Sequence, residues 1–121
     1  MIDHSGVSVS DVARGETFYH AALAPLGYTL LMDGEQYAGF GVAPKPHFGI
    51  GQGKPNVPPI YVAFRGESRA LVDAFYRPAM ASRGSDNGAP GPRPHYHSHC
   101  YGALVLDPDG HNIEAVCDTA E

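Results

Sequence analysis

The sequence predicts an α+β domain made of two copies of one strand–helix–three-strand unit. Three observations predict it. Short β-rich runs and two helical patterns follow one another in a similar order in each half. FYHAALAPLG at Phe18–Gly27 aligns with FYRPAMASRG at Phe75–Gly84, an offset of 57 residues at which Phe, Tyr, Ala, Ala and Gly coincide. The flanking strands agree on the same offset, which makes His4 and Tyr61 equivalent positions of the two copies. The chain then closes on YGALVLDPDGHNIEAVC, a β-hairpin pattern.

Each element has its own signal. Ile2–Val9 alternates, with Val7 and Val9 on one side and His4, Gly6 and Ser8 on the other. Ser10 or Asp11 is a helix N-cap, and Val12–Ala24 carries Phe18, Ala22 and Leu23 at helical spacing before Pro25 ends it. Tyr28–Met32 is a strand, Asp33-Gly34 a turn, Gln36–Val42 a third strand, Pro44-Lys45-Pro46 a turn, and His47–Gly51 a fourth strand. Module one thus spans 1–52, a Gly/Pro-rich linker 53–59, and module two 60–118, within one domain of 1–121. Ile60–Phe64 opens the second module. Ser68 caps a helix over Arg69–Arg83 with Leu71, Phe75 and Ala79 on one face, Pro78 kinks or shortens it, and Gly84 ends it. Ser85–Pro94 reads as a long irregular loop. In the closing hairpin, Pro108 and Gly110 set the turn. Asn112, Glu114 and Val116 share one face of the last strand, and Ile113, Ala115 and Cys117 the other. Glu114 is therefore a carboxylate at the centre of a short, mostly apolar strand, a position that wants water, a partner or a cation.

Composition narrows the function classes. Hydrophobic residues make up 43% of 121, enough for a core and too many for a disordered chain. A net charge of −5 without a basic cluster argues against nucleic acid. No apolar run reaches a membrane span, and no signal-peptide pattern opens the chain. Cys100 and Cys117 read as reduced thiols, which points to a cytoplasmic protein. No GxSxG, Walker A or CxxC pattern is present.

The opening IDHSGVSVSDVARGETFYHAAL, the strand YVAF and the closing LDPDGHNIEAV resemble the vicinal oxygen chelate superfamily, which includes glyoxalase I, bleomycin-resistance proteins and extradiol dioxygenases. The resemblance covers essentially the whole chain. It implies two βαβββ modules forming a curved mixed sheet around a cleft with the helices outside, a homodimer, and a divalent ion (Zn, Ni, Fe or Mn). His4 and Glu114 match two of the family's four metal-ligand positions. Tyr61 stands where a His is usual, and Gly49 or Ile50 where a Glu or His is usual.

Two function classes follow from that resemblance. One is a metal-assisted lyase or isomerase on a small oxygen-chelating substrate, with His4 and Glu114 as ligands and Glu114 or a pocket histidine moving the proton. The other is a metal-free, bleomycin-resistance-like binder using the same cleft. Tyr61, Phe40, Phe48, Tyr101, His97 and His99 would line it, and Arg93 would meet an anionic substrate. His95, His97 and His99 alternate in HYHSH. If extended they share a face at about 6.8 Å spacing, and one of them is a candidate third ligand. Several residues read as structural: Tyr19 and Tyr76 as packing, Asp107 and Asp109 as turn residues, His20 and His111 as surface residues, and Cys100 as core or cleft lining on a strand.

Overall fold

The computed structural model describes residues 1–119. Eight strands and two helices follow in order: β1 (Ser5–Val9), α1 (Val12–Leu23), β2 (Thr29–Asp33), β3 (Tyr37–Val42), β4 (Lys45–Gln52), β5 (Tyr61–Arg65), α2 (Arg69–Ala81), β6 (Ser85–Pro92), β7 (Tyr101–Leu106) and β8 (Asn112–Cys117). They form two separate four-stranded sheets, ordered β1-β4-β3-β2 and β5-β8-β7-β6. Both are mixed: β1 runs parallel to β4 and β5 parallel to β8, and the other neighbours are antiparallel.

The duplication is visible in register. Gly6 pairs with Gly49 across β1 and β4, and 57 residues later Ala63 pairs with Glu114 across β5 and β8. The helices start at the same offset, Val12 and Arg69. Gly49 is therefore the first-module counterpart of Glu114.

Each helix is capped as the sequence implies. The Asp11 side chain accepts from the Arg14 N–H, and Ser68 accepts from the Leu71 N–H. α1 ends in a 3₁₀ turn, Ala24–Leu26, closed by Gly27 at φ 96°. Pro78 is accommodated near the end of α2, which stops at Ala81. Arg83 takes the left-handed conformation (φ 74°), and the Gly84 N–H returns to the Ala79 carbonyl. The helix stop is thus shared by two residues. Arg83 supplies the backbone turn, and Gly84 supplies the missing side chain.

One core joins the modules. Phe18, Tyr19 and Leu23 of α1, Val72, Phe75 and Ala79 of α2, and Phe40, Phe48, Ile50, Val105, Ile113 and Ala115 of the sheets are buried together. Phe48 meets Phe64 edge-on at 5.2 Å between ring centroids, so the helix-facing sides of both sheets contribute to it. Each sheet has one face in this core and leaves the other open. No helix of the described residues is long and apolar enough to cross a membrane.

Three readings need correction. Ser85–Pro92 is a strand, not an irregular loop. SDNGAPGP lacks β-formers, but an edge strand tolerates proline and glycine, and register breaks at Asp86/Gly88 and Gly88/Gly91 absorb them. Lys45 and Pro46 belong to β4 rather than to a turn. His111 is fully buried, not a surface residue. Its Nε2 lies 3.0 Å from the Ser8 carbonyl oxygen, and its Nδ1 accepts from the Ile60 N–H at 3.2 Å, so the imidazole ties the start of β8 to β1 and β5.

Candidate functional site

Strand alternation decides what the open faces carry. On β8 the burial pattern alternates strictly, with Ile113, Ala115 and Cys117 in the core. Asn112, Glu114 and Val116 therefore face outward, beside Ala63 of β5 and Leu104 of β7. A cavity of about 490 Å³ lies over this face, lined among others by Tyr61, Tyr96, Cys100, Leu104, Asn112, Glu114, Val116 and Asp118. Glu114 is held by a short relay. Asn87 on β6 donates to the Asn112 side-chain oxygen at 2.9 Å, and Asn112 donates to Glu114 Oε2 at 2.7 Å. Among the described residues no hydrogen bond reaches Oε1. Burial pushes the Cys100 thiol up, and the Asp118 carboxylate adds to this, which disfavours the thiolate.

The open face of the first sheet differs. Gly6, Gly49, Gly39 and Met32 stand in one register row across all four strands. Three of the four carry no side chain, and the sheet backbone is the floor of a cavity of about 430 Å³. Met32, Tyr37, Ala38, Pro46, Phe48 and Ile50 make the lining predominantly apolar, with His4 and Lys45 at one side. A Cβ on Gly6 would stand 3.0 Å from the Gly49 carbonyl oxygen, so the floor is closed to larger residues there. His4 is exposed just ahead of β1. Its Nδ1 lies 2.8 Å from Asp3 Oδ1, and Lys45 binds the same carboxylate. Among the described residues no hydrogen bond reaches Nε2. A third cavity, about 580 Å³, lies where β5 meets the chain start, between Tyr61–Arg65 and Ile2, Asp3 and Ser5.

The sequence-derived candidates thus scatter over several places. Tyr61 and Glu114 share a cavity, and His4 lines a different one. Phe40 is wholly buried beside Tyr19, and Phe48 is a core residue that also lines two of the cavities. Tyr101 turns towards α2, where its hydroxyl donates to Asp73 at 2.6 Å and Arg69 stacks 5.0 Å from its ring. Arg93 spends its guanidinium on the carbonyls of Ala89 and Pro92. His95, His97 and His99 are not extended. They lie exposed in turns between β6 and β7, with 6.2 Å between the rings of His97 and His99. Among the described residues no group of three His, Cys, Asp or Glu side chains is placed to hold a metal ion.

Tyr96, Asn87 and Asp118 were not legible as site residues. Asn112 was legible in part, through its shared parity with Glu114. Nothing in the sequence pairs β6 with β7 strongly enough to bring Asn87 to Asn112.

Comparison with solved structures agrees with this architecture. A glyoxalase/bleomycin resistance protein from Albidiferax ferrireducens T118 superposes with a TM-score of 0.80 at 26% identity, over 95% of this chain and 96% of the other. The chain has the vicinal oxygen chelate fold. A glyoxalase/bleomycin resistance protein/dioxygenase family enzyme from Burkholderia phytofirmans PsJN shares that fold with a TM-score of 0.74 at 15% identity, over 98% of both chains. A lactoylglutathione lyase from Agrobacterium tumefaciens shares it at 0.66 and 16%, over 94% of this chain and 91% of the other. No family model and no curated protein matches the sequence. Within the vicinal oxygen chelate fold, His4 and Glu114 each line a cavity of this chain, one at the first sheet and one at the second.

Proposed function

We propose that this chain is a glyoxalase-like enzyme that takes a small molecule against the open faces of its sheets and moves a proton on it with Glu114. The chemistry is of the lyase or isomerase type, on a substrate with neighbouring oxygens. One observation carries the reading: Glu114 is half-buried and lines the cavity, with Oε2 fixed by Asn112 at 2.7 Å and no hydrogen bond to Oε1 among the described residues. A carboxylate held in this way can take a proton from a bound ligand and return it without losing its orientation. Tyr61 and Leu104 would bound the ligand beside it.

A divalent ion (Zn, Ni, Fe or Mn) does not fit the donors of a single chain. Asp3 orients His4 as an outer-shell carboxylate would, but Glu114 lines another cavity and Gly49 offers no donor. We infer that a second copy would bring His4 to Glu114, the first sheet of one chain meeting the second sheet of the other. We therefore assign any bound ion to a homodimer and route no step through it.

A second reading, a metal-free binder that sequesters a flat organic molecule, would use the predominantly apolar, glycine-floored cavity. Elemental analysis of protein purified without a histidine tag separates the two. A stoichiometric ion, lost in His4→Ala and in Glu114→Gln, supports the enzyme. No ion, with saturable binding of an aromatic ligand and no turnover of methylglyoxal–glutathione adduct or related substrates, supports the binder.

A further inference from the structure

We propose that the first register break of β6 is a positioning device for Glu114: Asn87, the extra residue of that break, acts through Asn112 to hold the carboxylate. This rests on the reading above that Glu114 moves a proton, and names what keeps it aimed. Glu114 stands in one register row with Gly88 of β6, Leu104 of β7 and Ala63 of β5. Asp86 pairs with Val105 and Gly88 with Leu104, so Asn87 falls between two paired residues and has no partner of its own on β7. One extra residue of this kind is a β-bulge, a device that re-aims a side chain. Here the side chains of Asn87 and Asn112 bridge β7, which separates their strands by about 9–10 Å, and meet at 2.9 Å. The bulge is also held from α2. The Asp86 carboxylate accepts from the Gly88 N–H at 3.1 Å and from the Tyr76 hydroxyl at 2.8 Å. Gly88 takes φ 152°, a conformation that residues with side chains rarely adopt, and a Cβ there would stand 3.1 Å from Arg93 Nη2 and 3.2 Å from Leu104 Cδ1.

The direction of the relay follows from the carboxylate. A carboxylate only accepts, so Asn112 turns its NH₂ to Oε2 and its own carbonyl oxygen away. That oxygen takes its donor from Asn87. Without the donor the amide could flip and present oxygen to the carboxylate, which repels it. Asn87 thus selects the amide orientation that binds Glu114. With Oε2 occupied, and no hydrogen bond to Oε1 among the described residues, Oε1 is the oxygen left to exchange a proton with a ligand. A general base works only while that atom stays within hydrogen-bond reach of the proton it takes.

NMR of the full, untagged chain tests this without turnover, by reading the Asn112 side-chain amide and the Glu114 rotamer. In the unmodified chain the Asn112 N–H that faces Glu114 should lie downfield and exchange slowly with water, and three-bond couplings across χ1 should report one Glu114 rotamer. Asn87→Ala is expected to speed that exchange several-fold and to average the rotamer. Asn87→Asp puts an acceptor where the donor was, so the Asn112 NH₂ turns away from Glu114 and the downfield signal is lost. Gly88→Ala, which disturbs the bulge and keeps both amides, should act as Asn87→Ala does. If Gly88→Ala does not fold, the two substitutions at Asn87, an exposed residue of an edge strand, carry the comparison. Asn56→Ala removes a different exposed amide, one bound to the Ser8 N–H, and should change neither signal. A residue that only supports the fold would not separate alanine from aspartate at this position. Unchanged Asn112 and Glu114 signals in both Asn87 variants would overturn the proposal while leaving Glu114 as a candidate base. The expected signals, together with a Glu114→Gln variant that turns over methylglyoxal–glutathione adduct as fast as the unmodified chain, would support the relay and overturn the proton-transfer reading.

Discussion

Asp3 is where residue chemistry meets the candidate site most directly. Hydrogen bonds from His4 and then Lys45 hold its carboxyl at about 2, down from an ordinary value of 3.8. A depressed folded-state value means that the tie is fully present above the ordinary value and is lost as pH falls through about 2. Asp3 is exposed, so the consequence is local: below that pH His4 loses the partner that orients it. An NMR titration of the Asp3 side chain should show a midpoint near 2, moving up towards 3.8 in Lys45→Ala. An unchanged midpoint in that variant would mean that Lys45 does not hold the carboxyl in solution. The buried polar residues have a different role. The Tyr19 hydroxyl donates to Asp107 at 2.5 Å, and the other Asp107 oxygen accepts from the backbone N–H groups of Asp109 and His111. Burial, and then the Asp107 carboxylate, push the Tyr19 phenol well above its ordinary value, so it stays a neutral donor. Asp107 was legible as a turn residue. Its bond to a helix 88 residues earlier was not, because no local pattern records it.

Among the elements, the end of α2 shows most clearly how space overrides propensity. A Cβ on Gly84 would lie 2.5 Å from the Ala79 carbonyl oxygen, 2.6 Å from Val105 Cγ1 and 2.8 Å from Phe18 Cε1. Two of these neighbours are core side chains of other elements, and the third is backbone, so none can withdraw cheaply. Gly84→Ala should therefore destabilise the chain by roughly 1–3 kcal/mol, the usual cost of overpacking. Chemical denaturation of both proteins measures it, and a variant of unchanged midpoint would show that the helix end can shift. The helices were legible because amphipathic spacing and a capping residue coincide at Val12 and at Arg69. The hairpin β7–β8 was legible to its ends, because β-formers flank a proline–glycine turn. β6 was not, since it is held by its neighbour β7 and not by its own composition.

At the scale of the whole molecule, the question is what covers the two open faces. Met32 and Tyr37 at the first sheet and Tyr61 and Tyr96 at the second are large hydrophobic residues left 46%, 49%, 75% and 62% exposed. The repeat gives the two sheets the same strand order and register, so two chains can place unlike faces together around a twofold axis. A homodimer is the expected state at micromolar concentration, measured by sedimentation equilibrium. Tyr37→Glu should shift it towards monomer while leaving the fold intact. A monomeric mass for the unmodified chain would count against the pairing of His4 with Glu114 across two copies on which the proposed ion site rests.

The sequence by itself determined the duplicated α+β architecture, the two helices, the closing hairpin and the face that Glu114 shares with Asn112 and Val116. The helices, the hairpin and the strand parity follow from periodicity, capping and turn chemistry within a few residues, and the duplication from residues that recur at an offset of 57. Only the tertiary structure decided that His4 and Glu114 line separate cavities, that Tyr101 faces α2, that His111 is buried and that Asn87 reaches Asn112. Each of those outcomes depends on how two sheets share one core, and packing between segments far apart in the chain leaves no periodic trace in either one.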